Sequence, residues 1–226
     1  MNIEEIKNEI NQITKKYSQG KILDLCTGNG EFIHFIIDEL INFSEKIGID
    51  NHNRSIKEIF FEYKKMDVNK LEFPQNYFDI VTISNSLHHI ENIELLFLNI
   101  KKVLKEDGTL IINEMFSDNQ SSSQQTHVML HHFSAEINKM DNIYHRETYK
   151  KNEIIDIVFK NNFQVQNQFE YNISSRVILN PIINKLLENI SAEKKDYFVK
   201  KSEAIIENYL LHGFDNATEL LLFCKK

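Results

Sequence analysis

Residues 21–32 constrain the fold of this chain more than any other segment. Residues 22–25 form a largely apolar run, which is typical of a parallel strand that is buried on both faces. Gly28 and Gly30 follow as a turn, where the backbone can take positive φ and approach a ligand closely. From Glu31 the apolar residues return at helical spacing. Strand, glycine turn and helix together predict the first half of a nucleotide-binding βαβ unit.

Asp24 lies inside the end of this predicted strand, before the two glycines. A dinucleotide-binding loop would need a third glycine at the position of Ile33, so that interpretation fails. An acid before G-x-G instead resembles motif I of the class I S-adenosylmethionine-dependent methyltransferases, commonly written D-x-G-x-G-x-G. Here Cys26 stands at the first glycine position, and the outline of the loop remains intact.

Two further acids follow predicted strands. The second strand, over residues 46–50, ends in Asp50, at about the separation from Gly28 at which a nucleotide-binding fold places a carboxylate on ribose hydroxyls. The third strand, over 60–66, is followed by Asp67, where the methyltransferase family has an acid that accepts from the adenine amino group. Acids at three successive strand ends, in register with a glycine turn, favour this family over ordinary turn acids.

The resemblance covers residues 22–114 and continues through the family's fourth and fifth strands. The pattern predicts a strand over 78–84, a helix over 93–104, a turn at Asp107 and Gly108, and a strand over 109–113. The resemblance implies a Rossmann-like α/β fold with a seven-stranded, mostly parallel sheet, helices on both faces and a helical cap. It also implies S-adenosylmethionine as the cofactor.

The cofactor residues implied by the resemblance all lie in this half of the chain. The methionine end would be held by Asp24, Thr27, Gly28 and Gly30, the ribose by Asp50 and the adenine by Asp67. The remaining members of the predicted cofactor site are Cys26, Asn51, Val68 and Asn85.

The rest of the chain is mainly helical by pattern. Helices are predicted over 3–17, 51–59, 125–140, 151–160, 180–187 and 193–211, and strands over 163–172 and 219–224. We expect one domain over 1–226, with a cofactor-binding half at about 20–116. The substrate and cap elements are expected at about 1–18, 122–145 and 174–213.

Three residues are candidates for catalysis. Methyl transfer is an in-line displacement, so alignment of the acceptor is the main task, and a base is needed only where the acceptor must lose a proton. His88 and His89 follow the fourth strand and are candidate bases, or they fix the loop by hydrogen bonds. Glu114 ends the fifth strand, where it would either orient the acceptor or be a solvated acid.

The helix over 125–140 carries an unusual group of histidines. Helical spacing places Met129, Leu130, Phe133, Ile137 and Met140 on a core face. His127 pairs with His131 and His132 with Glu136 at i, i+4, and His145 follows. Three interpretations are open: a wall of the substrate pocket, a metal site and a solvated face. The predicted substrate residues are His127, His131, His132 and His145, and no metal is included.

Composition limits the partners. The net charge is −7 with scattered basic residues, which argues against a nucleic-acid substrate. No apolar run approaches the length of a membrane span, and no signal peptide is expected. The two cysteines, both in predicted strands, form no disulfide framework, so we expect a cytoplasmic protein. Monomer and homodimer are both open.

The predicted function is methyl transfer from S-adenosylmethionine to an oxygen, nitrogen or carbon atom of a small molecule in a capped pocket. One alternative is a methyltransferase that acts on RNA or protein, which would need an open, charged cleft. Another is a module that binds S-adenosylmethionine or a nucleoside without turnover.

Overall fold

The computed structural model describes residues 1–36, 42–52, 60–174, 177–188 and 190–226. The chain divides into two compact units. The first comprises Met1–Glu114, Asn152–Tyr171 and Leu220–Lys226, and the second comprises Met115–Lys151 and Asn172–Glu219. The helix predicted over 51–59 lies almost wholly outside the described residues.

The described part of the chain contains helices and strands in both of its halves. The helices are α1 (Ile3–Thr14), α2 (Glu31–Ile36), α3 (Ile93–Val103), α4 (Ser122–Met140), α5 (Lys151–Lys160), α6 (Leu179–Glu188) and α7 (Ala192–His212). The strands are β1 (Lys21–Leu25), β2 (Glu45–Asp50), β3 (Glu62–Lys65), β4 (Phe78–Ser84), β5 (Leu104–Met115), β6 (Gln164–Tyr171) and β7 (Glu219–Lys225). Short 3₁₀ turns occur at Lys15–Tyr17 and Leu87–His89.

The strands form one seven-stranded sheet in the order β3-β2-β1-β4-β5-β7-β6. The pairs β3–β2, β2–β1, β1–β4 and β4–β5 are parallel. The predicted Rossmann-like, mostly parallel fold is therefore confirmed. Parallel pairing brings the carboxyl ends of β1, β2 and β4 to one edge of the sheet, where ligands bind in such folds.

The fifth strand is longer than the sequence predicts. The predicted turn at Asp107 and Gly108 lies within β5, whose register against β4 shifts between the Phe78–Leu104 and Ile80–Thr109 pairs. This irregularity absorbs the extra residues as a β-bulge does, and the strand continues past it. The carbonyl of Gly108 accepts a hydrogen bond from Lys225 Nζ at 2.7 Å.

The first unit has an apolar core between α1 and the sheet. Ile6 and Ile10 of α1 are buried in one cluster with Ile22, Ile80 and Ile111 of the central strands. Residues 1–18, expected among the substrate elements, therefore lie in the first unit, where the apolar face of α1 packs on the sheet. The helix begins with a capping box, in which the side chain of Asn2 and that of Glu5 each accept from the other's backbone N–H.

The second unit has a core of its own, built from α4, α6 and α7. Leu130, Phe133 and Ile137 of α4 are buried, and Met129 and Met140 are partly buried beside them, as the helical spacing predicts. Their partners on the other two helices are Leu179, Ile183, Leu187, Phe198 and Ile205. Within the described part of the chain, no helix combines the length and apolar character that crossing a membrane requires.

Phe61 explains why two glycines lie at the edge of the sheet. Its ring is buried directly before β3, and a Cβ at Gly30 would lie 2.5 Å from it. A Cβ at Gly48 of β2 would lie 2.6 Å from the same ring and 2.8 Å from Thr27 Oγ1. Real Cβ atoms essentially never approach so closely, so the ring position requires glycine at both sites.

We expect Gly48→Ala to lower the free energy of unfolding by about 2 kcal/mol, because overpacking a core costs 1–3 kcal/mol. Chemical denaturation of the wild type, Gly48→Ala, Phe61→Leu and the double variant would measure the coupling. In the Phe61→Leu background, Gly48→Ala should lower the free energy of unfolding by clearly less than it does in the wild type. Equal costs in both backgrounds would show that the ring does not impose the glycine.

Candidate active site

The glycine loop follows β1 at the carboxyl edge of the sheet. Cys26, Gly28 and Gly30 all have positive φ, at 54°, 55° and 85°. Cys26 therefore lies just beyond β1, in the loop, and not in the strand as predicted. Among the residues that the structure describes, no heavy atom lies within 4 Å of the position that a Cβ would take at Gly28, so the backbone there borders open space. Gly28 is thus the point of the loop that a ligand can approach.

Asp24 lies inside the protein, with 1% of its surface exposed. One carboxylate oxygen accepts from the Thr27 hydroxyl at 2.6 Å and the other from the Thr82 hydroxyl at 2.5 Å. Burial raises the pKa of Asp24 from 3.8 to about 6, although both hydroxyls favour the charged form. Asp24 thereby ties the glycine loop to β4 and does not face the surface.

Asp50 ends β2 beside the same loop. Its Oδ2 accepts from the backbone N–H of Gly28 at 3.1 Å, and its Oδ1 accepts from that of His52 at 3.0 Å. The side chain is buried to 7% exposure. A carboxylate has about four acceptor positions, so these two bonds leave capacity for further hydroxyl donors.

The other predicted cofactor residues lie along this edge of the first unit. Asp67 is exposed, and its Oδ1 accepts from the backbone and side-chain N–H groups of Asn69. Val68 is buried, while Asn51 and Asn85 are exposed. Asn85 takes a left-handed conformation, with φ of 43°.

The Cys26 side chain connects the glycine loop to the loop after β4. Burial, together with the nearby Asp50 and Asp24 carboxylates, raises the pKa of its thiol to about 12. A hydrogen bond with the Ser86 side chain acts in the opposite direction. The thiol is therefore protonated at neutral pH, which makes Cys26 a packing and hydrogen-bonding residue, not a nucleophile.

Glu114, at the end of β5, is fully buried. Its Oε2 accepts from the backbone N–H groups of Ser86 and Leu87 at 3.0 and 3.1 Å, and its Oε1 pairs with Nδ1 of His88. The side chain is thus neither the solvated acid nor the exposed rim residue that the sequence suggested. Its carboxylate is directed at the loop that follows β4.

The two adjacent histidines of this loop differ in their surroundings. His88 is 1% exposed, whereas His89 is exposed, and their ring centroids lie 4.3 Å apart. An ionised carboxylate only accepts hydrogen bonds, so opposite an ionised Glu114 it is Nδ1 of His88 that carries the proton. His88 therefore fixes the loop, and His89 is the member of the pair that lies at the surface.

The histidines of α4 belong to the second unit. His131 Nδ1 lies 3.1 Å from the Thr148 hydroxyl and its Nε2 lies 3.4 Å from Nε2 of His145. His145 is buried, and its Nδ1 accepts from the side-chain amide of Asn138 at 2.8 Å. Both ring nitrogens of each residue thus face protein groups, an arrangement that joins α4 to residues 145–148.

The remaining members of the predicted histidine group have different partners. His127 Nδ1 accepts from the backbone N–H of Ala217, and burial lowers the pKa of this imidazole. His132 Nε2 accepts from the backbone N–H of Thr148. Glu136 does not pair with His132 as predicted, because it binds Tyr197 and Lys201 of α7. The polar residues that the sequence pattern groups together therefore make three separate contacts, with Ala217, with Thr148 and with α7.

Sequence reasoning missed Thr82, Ser86 and Phe61, which determine the shape of the glycine loop. Thr82 is a polar residue inside an apolar strand, and that contrast is a signal that could have identified it. Ser86 and Phe61 carry no comparable signal, since their partners lie far away in the sequence.

Comparison with known proteins gives one family match and several relatives. Residues 2–168 match a family described as a methyltransferase domain. A hybrid PKS-NRPS synthetase of Penicillium oxalicum is 30% identical over 131 residues, which cover 49% of this chain and 3% of the synthetase. The ubiquinone/menaquinone biosynthesis C-methyltransferase UbiE of Francisella philomiragia is 27% identical over 106 residues, 42% of each chain. This chain thus spans less than half the length of these relatives.

Solved structures share the fold. An S-adenosylmethionine-dependent methyltransferase from Mesorhizobium loti has a TM-score of 0.56 and 14% sequence identity. The similarity covers 97% of this chain and 96% of that protein. At this identity the likeness concerns the fold alone.

The raised pKa of Asp24 predicts a pH dependence of stability. The folded state binds the proton more tightly than the unfolded chain, so this stabilisation is present below pH 3.8 and is lost as the pH rises to about 6. In Asp24→Asn, either threonine hydroxyl can accept from the new amide, and the titration is removed. Relative to the wild type, the variant should gain up to about 3 kcal/mol between pH 4 and 7. Urea denaturation at several pH values measures this difference, and a constant difference would contradict it.

Proposed function

The chain belongs to the methyltransferase-domain family and is an S-adenosylmethionine-dependent methyltransferase, and from this premise we propose that it methylates a small-molecule acceptor. The observation that carries the proposal is the arrangement of Gly28 and Asp50. The backbone at Gly28 borders open space and donates a hydrogen bond to the buried carboxylate of Asp50. That carboxylate can accept further hydrogen bonds, and both residues lie at the carboxyl edge of the sheet.

The residues of this edge fit S-adenosylmethionine chemically. When bound, the cofactor supplies a sulfonium methyl group that an acceptor can displace. We propose that Gly28 and the adjacent loop receive the methionine end, that Asp50 accepts from the ribose hydroxyls and that Asp67 accepts from the adenine amino group. Asp24 holds the loop in place by accepting a hydrogen bond from the Thr27 hydroxyl. The carboxylates of the site also suit a ligand that carries positive charge.

A small acceptor is favoured over a macromolecule by two observations. The net charge of −7 opposes binding to nucleic acid, and UbiE, one of the relatives, is a C-methyltransferase by name. We propose a carbon acceptor on that basis.

Removal of a proton from a carbon acceptor needs a base. Our candidate is His89, because its side chain is exposed whereas those of Glu114 and His88 are buried. An imidazole titrates near neutral pH and can therefore accept a proton there.

The cofactor assignment predicts that Asp50→Asn weakens binding of S-adenosylmethionine and S-adenosylhomocysteine at least tenfold, because an amide oxygen is a poorer acceptor than a carboxylate. Calorimetric titration measures this effect, with the exposed Asp156→Asn of α5 as a matched control for the loss of charge. Equal affinity in both variants would remove Asp50 from the site. No binding by folded wild type would refute the proposed function.

The base assignment predicts that His89→Gln loses most of the methyl transfer while cofactor affinity stays within twofold. Release of S-adenosylhomocysteine in the presence of an acceptor found by screening carbon nucleophiles is the measurement, and the exposed His212→Gln is the control. The pH dependence on the acidic side should disappear in the variant. Unchanged turnover in His89→Gln would show that another group, or none, takes the proton.

A further inference from the structure

Glu114 makes three hydrogen bonds that its position in the sequence did not suggest. Two go to the backbone N–H groups of Ser86 and Leu87, at the start of the 3₁₀ turn Leu87–His89. The side chain of Ser86 makes no capping bond of its own to this turn. Glu114 therefore caps the turn from β5, supplying the acceptor and negative charge that a helical N-terminus favours.

The third bond fixes His88. Nδ1 of the imidazole is hydrogen-bonded to Oε1 of Glu114, while Oε2 accepts from the two backbone N–H groups. Both carboxylate oxygens therefore have partners. The side chains of both residues are almost completely buried, at 2% and 0% exposure. Glu114 therefore has no exposed atom through which it could contact an acceptor.

The capped turn is connected to the cofactor edge. The Ser86 hydroxyl donates to the carbonyl of Ser84 at 2.7 Å, and Ser86 also shares a hydrogen bond with Cys26 of the glycine loop. The neighbouring residue of β5 contributes too, since the carbonyl of Asn113 accepts from the backbone N–H of Asn85 at 2.8 Å. A carboxylate on β5 thus determines the position of a loop that contacts the loop bearing Gly28.

We propose that Glu114 is a positioning residue of the cofactor site, which holds residues 85–88 against the glycine loop and does not touch the acceptor. His88 contributes to the same positioning through the hydrogen bond of its Nδ1 to Glu114, and it does not act as a base. We call the Glu114–His88 pair the clamp. The inference rests on the proposed function, because it concerns affinity for S-adenosylmethionine.

Four variants separate the contributions of geometry and charge. In Glu114→Gln, the amide oxygen can still accept from Ser86 and Leu87, while the amide nitrogen donates to His88 if its proton moves to Nε2. Glu114→Ala removes all three bonds. His88→Asn keeps a donor close to the position of Nδ1, and His88→Ala removes it. Glu203→Ala, at an exposed position of α7, is the control.

We expect calorimetry with S-adenosylhomocysteine to give at least a tenfold loss of affinity for Glu114→Ala and a change within threefold for Glu114→Gln. His88→Asn should bind more tightly than His88→Ala. In ¹⁵N-detected NMR spectra, His88 should carry its proton on Nδ1 in the wild type and on Nε2 in Glu114→Gln.

Wild-type affinity in Glu114→Ala would overturn the proposal, as would a loss in Glu114→Gln as large as that in the alanine variant. If Glu114→Ala does not fold, the proposal is tested by the two His88 variants and by the tautomer of His88 in the wild type. A proton on Nε2 of His88 in the wild type would refute the proposal. Absence of binding by the wild type would instead refute the proposed function, so the two failures are distinguishable.

Discussion

Buried carboxylates that accept hydrogen bonds from neighbouring loops are the constraint on which the site depends. Asp50 of β2 holds the backbone of Gly28 after β1, and Glu114 of β5 holds the backbone of residues 86 and 87 after β4. Asp24 of β1 connects its own loop to Thr82 of β4. The loops that follow β1 and β4 are therefore both held by acids from the sheet. Such loops have no strand partner, and an unpaired buried N–H group would cost free energy.

This arrangement keeps negative charge inside the protein, and the donors that compensate it are N–H and O–H groups. A buried carboxylate remains charged only when hydrogen bonds replace the water that it has lost. Asp24, with two hydroxyl donors, has a pKa raised to about 6, so two neutral hydroxyls do not fully replace hydration. The raised pKa of Asp24 is the energetic cost of holding the glycine loop through a buried carboxylate.

The sequence predicted the strands and the glycine turn of the first half of the chain well because their signals are local. The strand, the glycine turn and the acids at strand ends lie within short stretches, and strand order follows from the fold that they indicate. Glu114 and Glu136 were interpreted less well, since spacing along the chain does not reveal what a side chain meets after folding. Glu136 lies four residues from His132, yet its partner Lys201 is 65 residues away. Phe61 was missed for the same reason, because its effect on Gly30 and Gly48 exists only once three segments meet.

The sequence by itself determined the elements of this protein, since hydrophobic periodicity and glycine conformations act over a few residues. It also determined the family and the set of acids at the cofactor edge. Only the tertiary structure decided which of those acids are buried and which loops they hold. Asp24 and Thr82 are 58 residues apart, and Glu114 and His88 are 26 apart. Burial and hydrogen-bond partners at such separations depend on packing of the whole sheet, which no local pattern specifies.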